Sequence, residues 1–221
     1  MLARGLLRDY GYVAQARARS VRHGMRPPQR HEGTGAPVLL IPGVFETWHY
    51  LDQLADALNA RGHPVHFVHA LGFNSRAIDE TATLAQRFLR ESDLTGVVIV
   101  AHSKGGLIGK RMMAVDDVEG RIERMIAINT PFSGSPLARY ALGRAMREFR
   151  PEHPIVQTLL REQGVNSRIT SLFSSFDQYI PDGSALEGAE NVRLPLIGHF
   201  RPLGHPLLIG EVLKRVGAEV P

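Results

Sequence analysis

Three side chains set far apart in the chain are of the types that share a proton relay: Ser103, Asp177 and His199. A serine hydroxyl attacks a carbonyl only when a base can take its proton, and the base needs an acid to fix its tautomer. Ser103 lies in VVIVAHSKGGLIGKRMM (Val97 to Met113), where an apolar run ends on the serine and a small-residue helical pattern begins. A sharp strand-to-helix turn would lift its hydroxyl clear of a sheet, and Ala101 and Gly105 keep the flanking positions small. Asp177 follows the strand-like RITSLFSS in SSFDQYIPDGSA, with Asp182 as the rival acid. His199 follows NVRLPLIG in LIGHFRPLGH, with His205 as the rival base at the entry to the last helix. Charge developing on the attacked oxygen calls for two backbone N–H donors. The amides of Val44, in IPGVFETW, and of Lys104, just after the serine, are the candidates. The Lys104 side chain is expected to be solvated, and His102 to be packed or hydrogen-bonded on the far side of the turn.

These residues are useful only if the elements between them bring them together. Short apolar runs at 37–41, 64–69, 96–101, 124–129, 168–174 and 191–196 predict six strands, with enough chain between successive runs for helices. Alternation of that kind predicts an α/β fold with a mostly parallel sheet covered on both faces, its site at the carboxyl ends of the strands. The clearest helix is 47–61, with Trp48, Leu51, Leu54, Ala55 and Leu58 on one face, Thr47 as N-cap and Gly62-His63-Pro64 as the stop. His63, His66 and His69 step by three through a strand and cannot share a face, so no metal site is expected there.

On these motifs the chain resembles the α/β-hydrolase superfamily, in its lipase and esterase branch. IPGVFETW resembles the oxyanion loop, AHSKGG the nucleophile elbow, INTPFSGSP (Ile128 to Pro136) the turn after the next strand, and the 177 and 199 segments the acid and base loops. Two positions depart from the usual pattern: Ala101 replaces the first glycine of G-x-S-x-G, and Pro42-Gly43 replaces the commoner His-Gly. The resemblance covers residues 37–221 and implies a compact hydrolase domain with a helical cap at 137–165. Pro151 to Pro154 divide that cap into two short helices. It further implies a carboxylic ester hydrolase working through an acyl-enzyme, with no cofactor and a small-molecule ester with an apolar acyl group as substrate. Acyl transfer or lactone or amide hydrolysis on the same three residues, and a non-catalytic binding module on the same fold, are the rival readings.

The 221 residues contain 43% apolar and 22% charged residues, enough for one well-buried domain, and the zero cysteine count removes disulfides and thiolate chemistry. The formal charge of +4 resides in residues 1–36: seven arginines face a single acid, Asp9, before His31. Residues 32–221 carry 19 basic and 21 acidic residues, so no nucleic-acid partner is expected. Leu2, Leu6, Leu7, Tyr10, Val13 and Ala14 fall on one helical face with arginines mostly opposite, a basic amphipathic helix followed by a Pro27-Pro28 and Gly33–Gly35 linker. Such a helix either packs on its own domain or lies on an anionic membrane through residues 1–30. No apolar run reaches the length of a spanning helix and the arginines interrupt any secretory segment, so a cytoplasmic protein, at most peripheral at a membrane surface, is expected.

Overall fold

The computed structural model describes residues 2–217. Its centre is a six-stranded sheet: β1 Val38–Ile41, β2 Val65–Phe67, β3 Val97–His102, β4 Ile122–Ile128, β5 Ile169–Phe176 and β6 Glu190–Ile197. The spatial order is β2-β1-β3-β4-β5-β6 and every neighbouring pair is parallel, as the alternating pattern predicts. Around it run α1 Leu2–His23, α2 Asp52–Asn59, α3 Ile78–Glu91, α4 Lys104–Arg111, α5 Arg144–Arg147, α6 Pro154–Arg161 and α7 Pro206–Val216.

The period-2 rule of strands divides the core in two. Leu39, Ile41, Ile99, Ala101, Met125 and Ala127 face α3, α4 and α6, while Val38, Leu40, Val98, Val100, Ile126 and Ile128 face α1, α2 and α7. Both sets are essentially fully buried, which is why these strands read as unbroken apolar runs and not as alternating ones. Residues 137–165 hold α5 and α6, interrupted at residues 148–153.

Two local expectations are corrected. The segment 47–61 does not begin as one helix capped by Thr47: a 3-10 turn at Trp48–Tyr50 precedes α2, and the Thr47 hydroxyl makes no cap, meeting His49 Nδ1 at 3.0 Å instead. In α1 the stripe that packs on the body is Gly5, Asp9, Tyr12 and Ala16, not the leucine-rich face, and Leu2, Leu7 and Tyr10 remain exposed. Hydrophobic periodicity misses this stripe because its fit is one of close approach and hydrogen bonding. A Cβ on Gly5 would meet Ile197 Cγ2 at 2.6 Å, and the Tyr12 hydroxyl donates to the Tyr50 carbonyl at 2.7 Å.

Candidate active site

The loops at the carboxyl ends of β1, β3, β4, β5 and β6 converge on one region. Ser103 sits where β3 passes into α4, with φ 51° and ψ −118°. Positive φ is unusual for a residue with a Cβ, and two neighbouring turns share it, at Phe45 (φ 57°) after β1 and Asn129 (φ 45°) after β4. Strained backbone that clusters in this way marks places where the surrounding structure dictates conformation. The Ser103 amide donates to the Ile128 carbonyl at 2.9 Å and its own carbonyl accepts from Gly106 N–H at 3.0 Å, while Gly105 lies so close to the Ile41 carbonyl that a side chain there would collide.

After β6, Gly198 turns the chain and sets His199 back toward the sheet. Its Nδ1–H donates to Asp177 Oδ2 at 2.6 Å, both side chains being buried. The other carboxylate oxygen, Oδ1, accepts from the amides of Tyr179 (2.8 Å) and Ile180 (3.2 Å), which fixes the acid in its loop. Burial raises the Asp177 carboxyl, but the charge and hydrogen bond of His199 and the Tyr179 amide outweigh it, leaving the group below the usual carboxylate range. For His199 burial acts downward, and the charge and hydrogen bond of Asp177 overcome it, holding the imidazole above its ordinary value.

The rival residues lie elsewhere. Asp182 is exposed, and His205 caps α7 by accepting from Leu207 N–H at 3.2 Å. Val44 lines the same cavity as Ser103, and no acceptor for the Val44 or Lys104 amide is found among the described residues. No hydrogen bond joins Ser103 Oγ to His199 among the described residues. The Lys104 side chain corrects the solvated expectation: it turns away from the cavity, is fully buried, and donates to the carbonyls of Asn74 (3.2 Å) and Arg76. Burial pulls it down to about 8, against the pull of Glu148 and Glu80. His63 Nδ1–H donates to the Ala36 carbonyl at 3.0 Å, His66 stacks on His31 and His69 is exposed, so the three have separate surroundings.

Several polar residues in the site escape a reading by spacing. Glu46 is buried, accepts from Gly43 N–H at 2.7 Å, and lies 2.8 Å from His102 Nδ1. His102 Nε2–H donates to the carbonyl of His199 at 3.0 Å, so it is hydrogen-bonded as expected, but on the His199 side. Asn129 Nδ2 donates to that same carbonyl at 2.9 Å and its Oδ1 accepts from Ser174 N–H, while Ser174 Oγ donates to the Gly198 carbonyl at 2.8 Å. The one available signal for Asn129 was its place directly after a strand in INTPF; for Glu46 it was a buried-loop acid two residues after Val44.

Ser103 and His199 open into a cavity of about 780 Å³, within the range of small-molecule sites. Its walls are mainly apolar and aromatic: Val44 and Phe45, Leu137 and Met146 of the segment between β4 and β5, and Tyr179 and Phe200 beside the histidine. Tyr10, Val13 and Arg17 of α1 complete one side.

A parallel sheet with a serine at a strained strand-to-helix turn and a carboxylate-bound histidine at its carboxyl end defines a hydrolase-type architecture. Residues 38–210 match the model of the alpha/beta hydrolase family, and the chain belongs to that family. Among solved structures it is similar to the mature form of the Bacillus licheniformis lipase BlEst2, at 14% identity and a TM-score of 0.71, over 87% of this chain and 96% of that one. Aspergillus fumigatus lipase B aligns at 16% identity and a TM-score of 0.68, over 87% of this chain and 55% of that one. The Paleococcus ferrophilus monoacylglycerol lipase aligns at 16% identity and 0.58, over 84% and 94%. At such identities the likeness is one of fold. Among the described residues, no helix is long and apolar enough to cross a membrane.

Proposed function

We propose that this chain is a serine hydrolase that cleaves carboxylic esters with an apolar acyl group, using Ser103 as nucleophile, His199 as general base and acid, and Asp177 as its partner. The observation that carries the reading is the 2.6 Å bond from His199 Nδ1–H to Asp177. Because a carboxylate only accepts, that bond places the single proton of the neutral imidazole on Nδ1 and leaves Nε2 with a lone pair, and His199 shares the cavity with Ser103.

Ser103 Oγ attacks the ester carbonyl while His199 Nε2 takes its proton; the tetrahedral oxyanion is met by the amides of Val44 and Lys104. Collapse expels the alcohol, which receives the proton from His199, and leaves an acyl-serine. Water, deprotonated by the same nitrogen, releases the acid. That Ser103 Oγ and His199 share the cavity without a hydrogen bond between them is compatible with this scheme, since such bonds often tighten only in the substrate complex. We assign residues 137–165 as the cap, because Leu137, Ala138, Tyr140, Met146 and Phe149 supply the apolar wall over Ser103.

The test is turnover of a p-nitrophenyl ester series graded by acyl length, alongside labelling by a fluorophosphonate. Wild type is expected to turn over esters and to label at one serine, and Ser103→Ala to lose both while keeping its circular dichroism spectrum. Full activity in that variant would overturn the assignment.

A further inference from the structure

We propose that Asp9, on the N-terminal helix, is a positioning residue for the histidine-bearing loop, which makes docked α1 a component of the active site. The inference rests on the hydrolase reading of Ser103 and His199.

Asp9 is fully buried, and its carboxylate is occupied by three donors from two loops. Oδ1 accepts from the backbone amides of Phe200 and Arg201, each at 2.7 Å; Oδ2 accepts from Gln178 Nε2, also at 2.7 Å. Gln178 follows the acid Asp177, and Phe200 follows the base His199. One side chain therefore fastens the loop after β5 to the loop after β6, immediately beside the 2.6 Å bond between them. Gly198, with φ 111°, faces Asp9 so closely that any side chain there would strike the carboxylate.

The grip is two-sided. His102 and Asn129 donate to the His199 carbonyl from within the sheet, while Asp9 accepts from the next two amides from outside it. A buried carboxylate is costly unless its donors are in place, and an apolar residue at this point in the buried stripe would pack without that requirement. The single acid among seven arginines in residues 1–31 stands at the one place on α1 where these amides converge. Tyr10 and Val13, its neighbours on α1, line the cavity itself. Among the described residues no hydrogen bond joins Asp9 to Ser103 or to the ring of His199; it holds the histidine through the backbone just after it, and its charge adds a smaller upward pull on the imidazole.

The experiment compares full-length wild type with Asp9→Asn, which keeps one acceptor oxygen, and Asp9→Leu, which keeps none. Active sites are titrated with a fluorophosphonate, kcat and KM are measured on p-nitrophenyl butyrate, and the downfield proton resonance of His199 Nδ1–H is recorded. Hydrogen bonds to a charged acceptor of this kind correspond to a loss per titrated site of about fivefold in kcat for Asp9→Asn and about fiftyfold for Asp9→Leu. KM is expected to stay within about a factor of two of wild type, since uniform binding is untouched. The Nδ1 resonance is expected to shift or broaden in both variants. Wild-type kcat per titrated site with an unmoved resonance, whatever the change in unfolding midpoint, would overturn the proposal. If Asp9→Leu does not fold, Asp9→Asn decides alone. Should wild type neither turn over esters nor label, the hydrolase reading fails. The resonance still rules on Asp9 in that case: a shift supports its positioning role, and an unmoved signal refutes it.

Discussion

Replacing Ser103 by alanine and, separately, by glycine divides what its backbone does from what its hydroxyl does. At φ 51° and ψ −118° the residue occupies the first central position of a type II′ turn, where glycine dominates. The chain itself gives almost the same conformation, φ 55° and ψ −116°, to Gly72. Holding a Cβ in a sparsely populated region costs about 1–3 kcal/mol. Alanine keeps that Cβ, and glycine removes it at an entropic cost of about 0.4–1 kcal/mol through the unfolded chain. Ser103→Gly is therefore expected to be about 1–2 kcal/mol more stable than Ser103→Ala. For a chain of this size that raises the unfolding midpoint by about 2–4 °C per kcal/mol. Urea unfolding followed by circular dichroism, on two variants that both lack the hydroxyl, reads the difference directly. Equal stabilities would limit the strain to the roughly 0.4–1 kcal/mol that glycine loses through the unfolded chain, below the range assigned to this turn, and a less stable glycine variant would lower it further; either result refutes the reasoning.

Two further outcomes depend on titration. His199 must be neutral to accept a proton and is held above the ordinary 6.5, so the acidic limb of the kcat/KM profile is expected above that value. Asp177→Asn removes the upward pull and leaves burial, so the limb should move to lower pH while kcat falls on the order of ten-thousandfold, as with comparable relays; a limb that rises or stays would contradict the pairing. Lys110 is almost wholly buried, its Nζ has no hydrogen-bond partner among the described residues, the Phe132 ring lies 6.0 Å away, and burial lowers it to about 8. Between that value and about 10.5 the unfolded chain holds the proton and the folded one does not, so wild-type stability should climb with pH across this window. Lys110→Met should thus be about 2–3 kcal/mol more stable at pH 7, with the gap closing near pH 10.5; a pH-independent gap in chemical denaturation would refute the account.

The sheet was readable because its strands are buried on both faces, and a buried strand announces itself as a short apolar run. The placement of Ser103, Asp177 and His199 at one end of the sheet is legible for a related reason: each stands just past such a run, and a parallel sheet gathers those positions. The edge strand β2 spans Val65–Phe67 and not the whole of 64–69, since the histidine- and valine-containing run extends beyond what actually pairs. Asp9, Glu46 and Asn129 could not be found the same way. Their partners lie 191, 56 and 70 residues away, and neither composition nor periodicity encodes a hydrogen bond across such distances. The buried face of α1 is hidden from periodicity for the same cause, because a stripe built from Gly5 and Asp9 has almost no hydrophobic signal.

The contact between Asp9 and the amides of Phe200 and Arg201 also bears on when this site comes into being. During synthesis α1 leaves the ribosome ahead of every strand, yet the groups it grips are made some 190 residues later. The loops after β5 and β6 that Asp9 joins come together through the pairing of those two strands. Contacts of such wide sequence separation form late in folding, after the local structure that shortens the loop between them. On the proposed reading, closure of α1 onto the loop after β6 would then be the step that completes the site, and a partly made chain would carry Ser103 without an aligned His199.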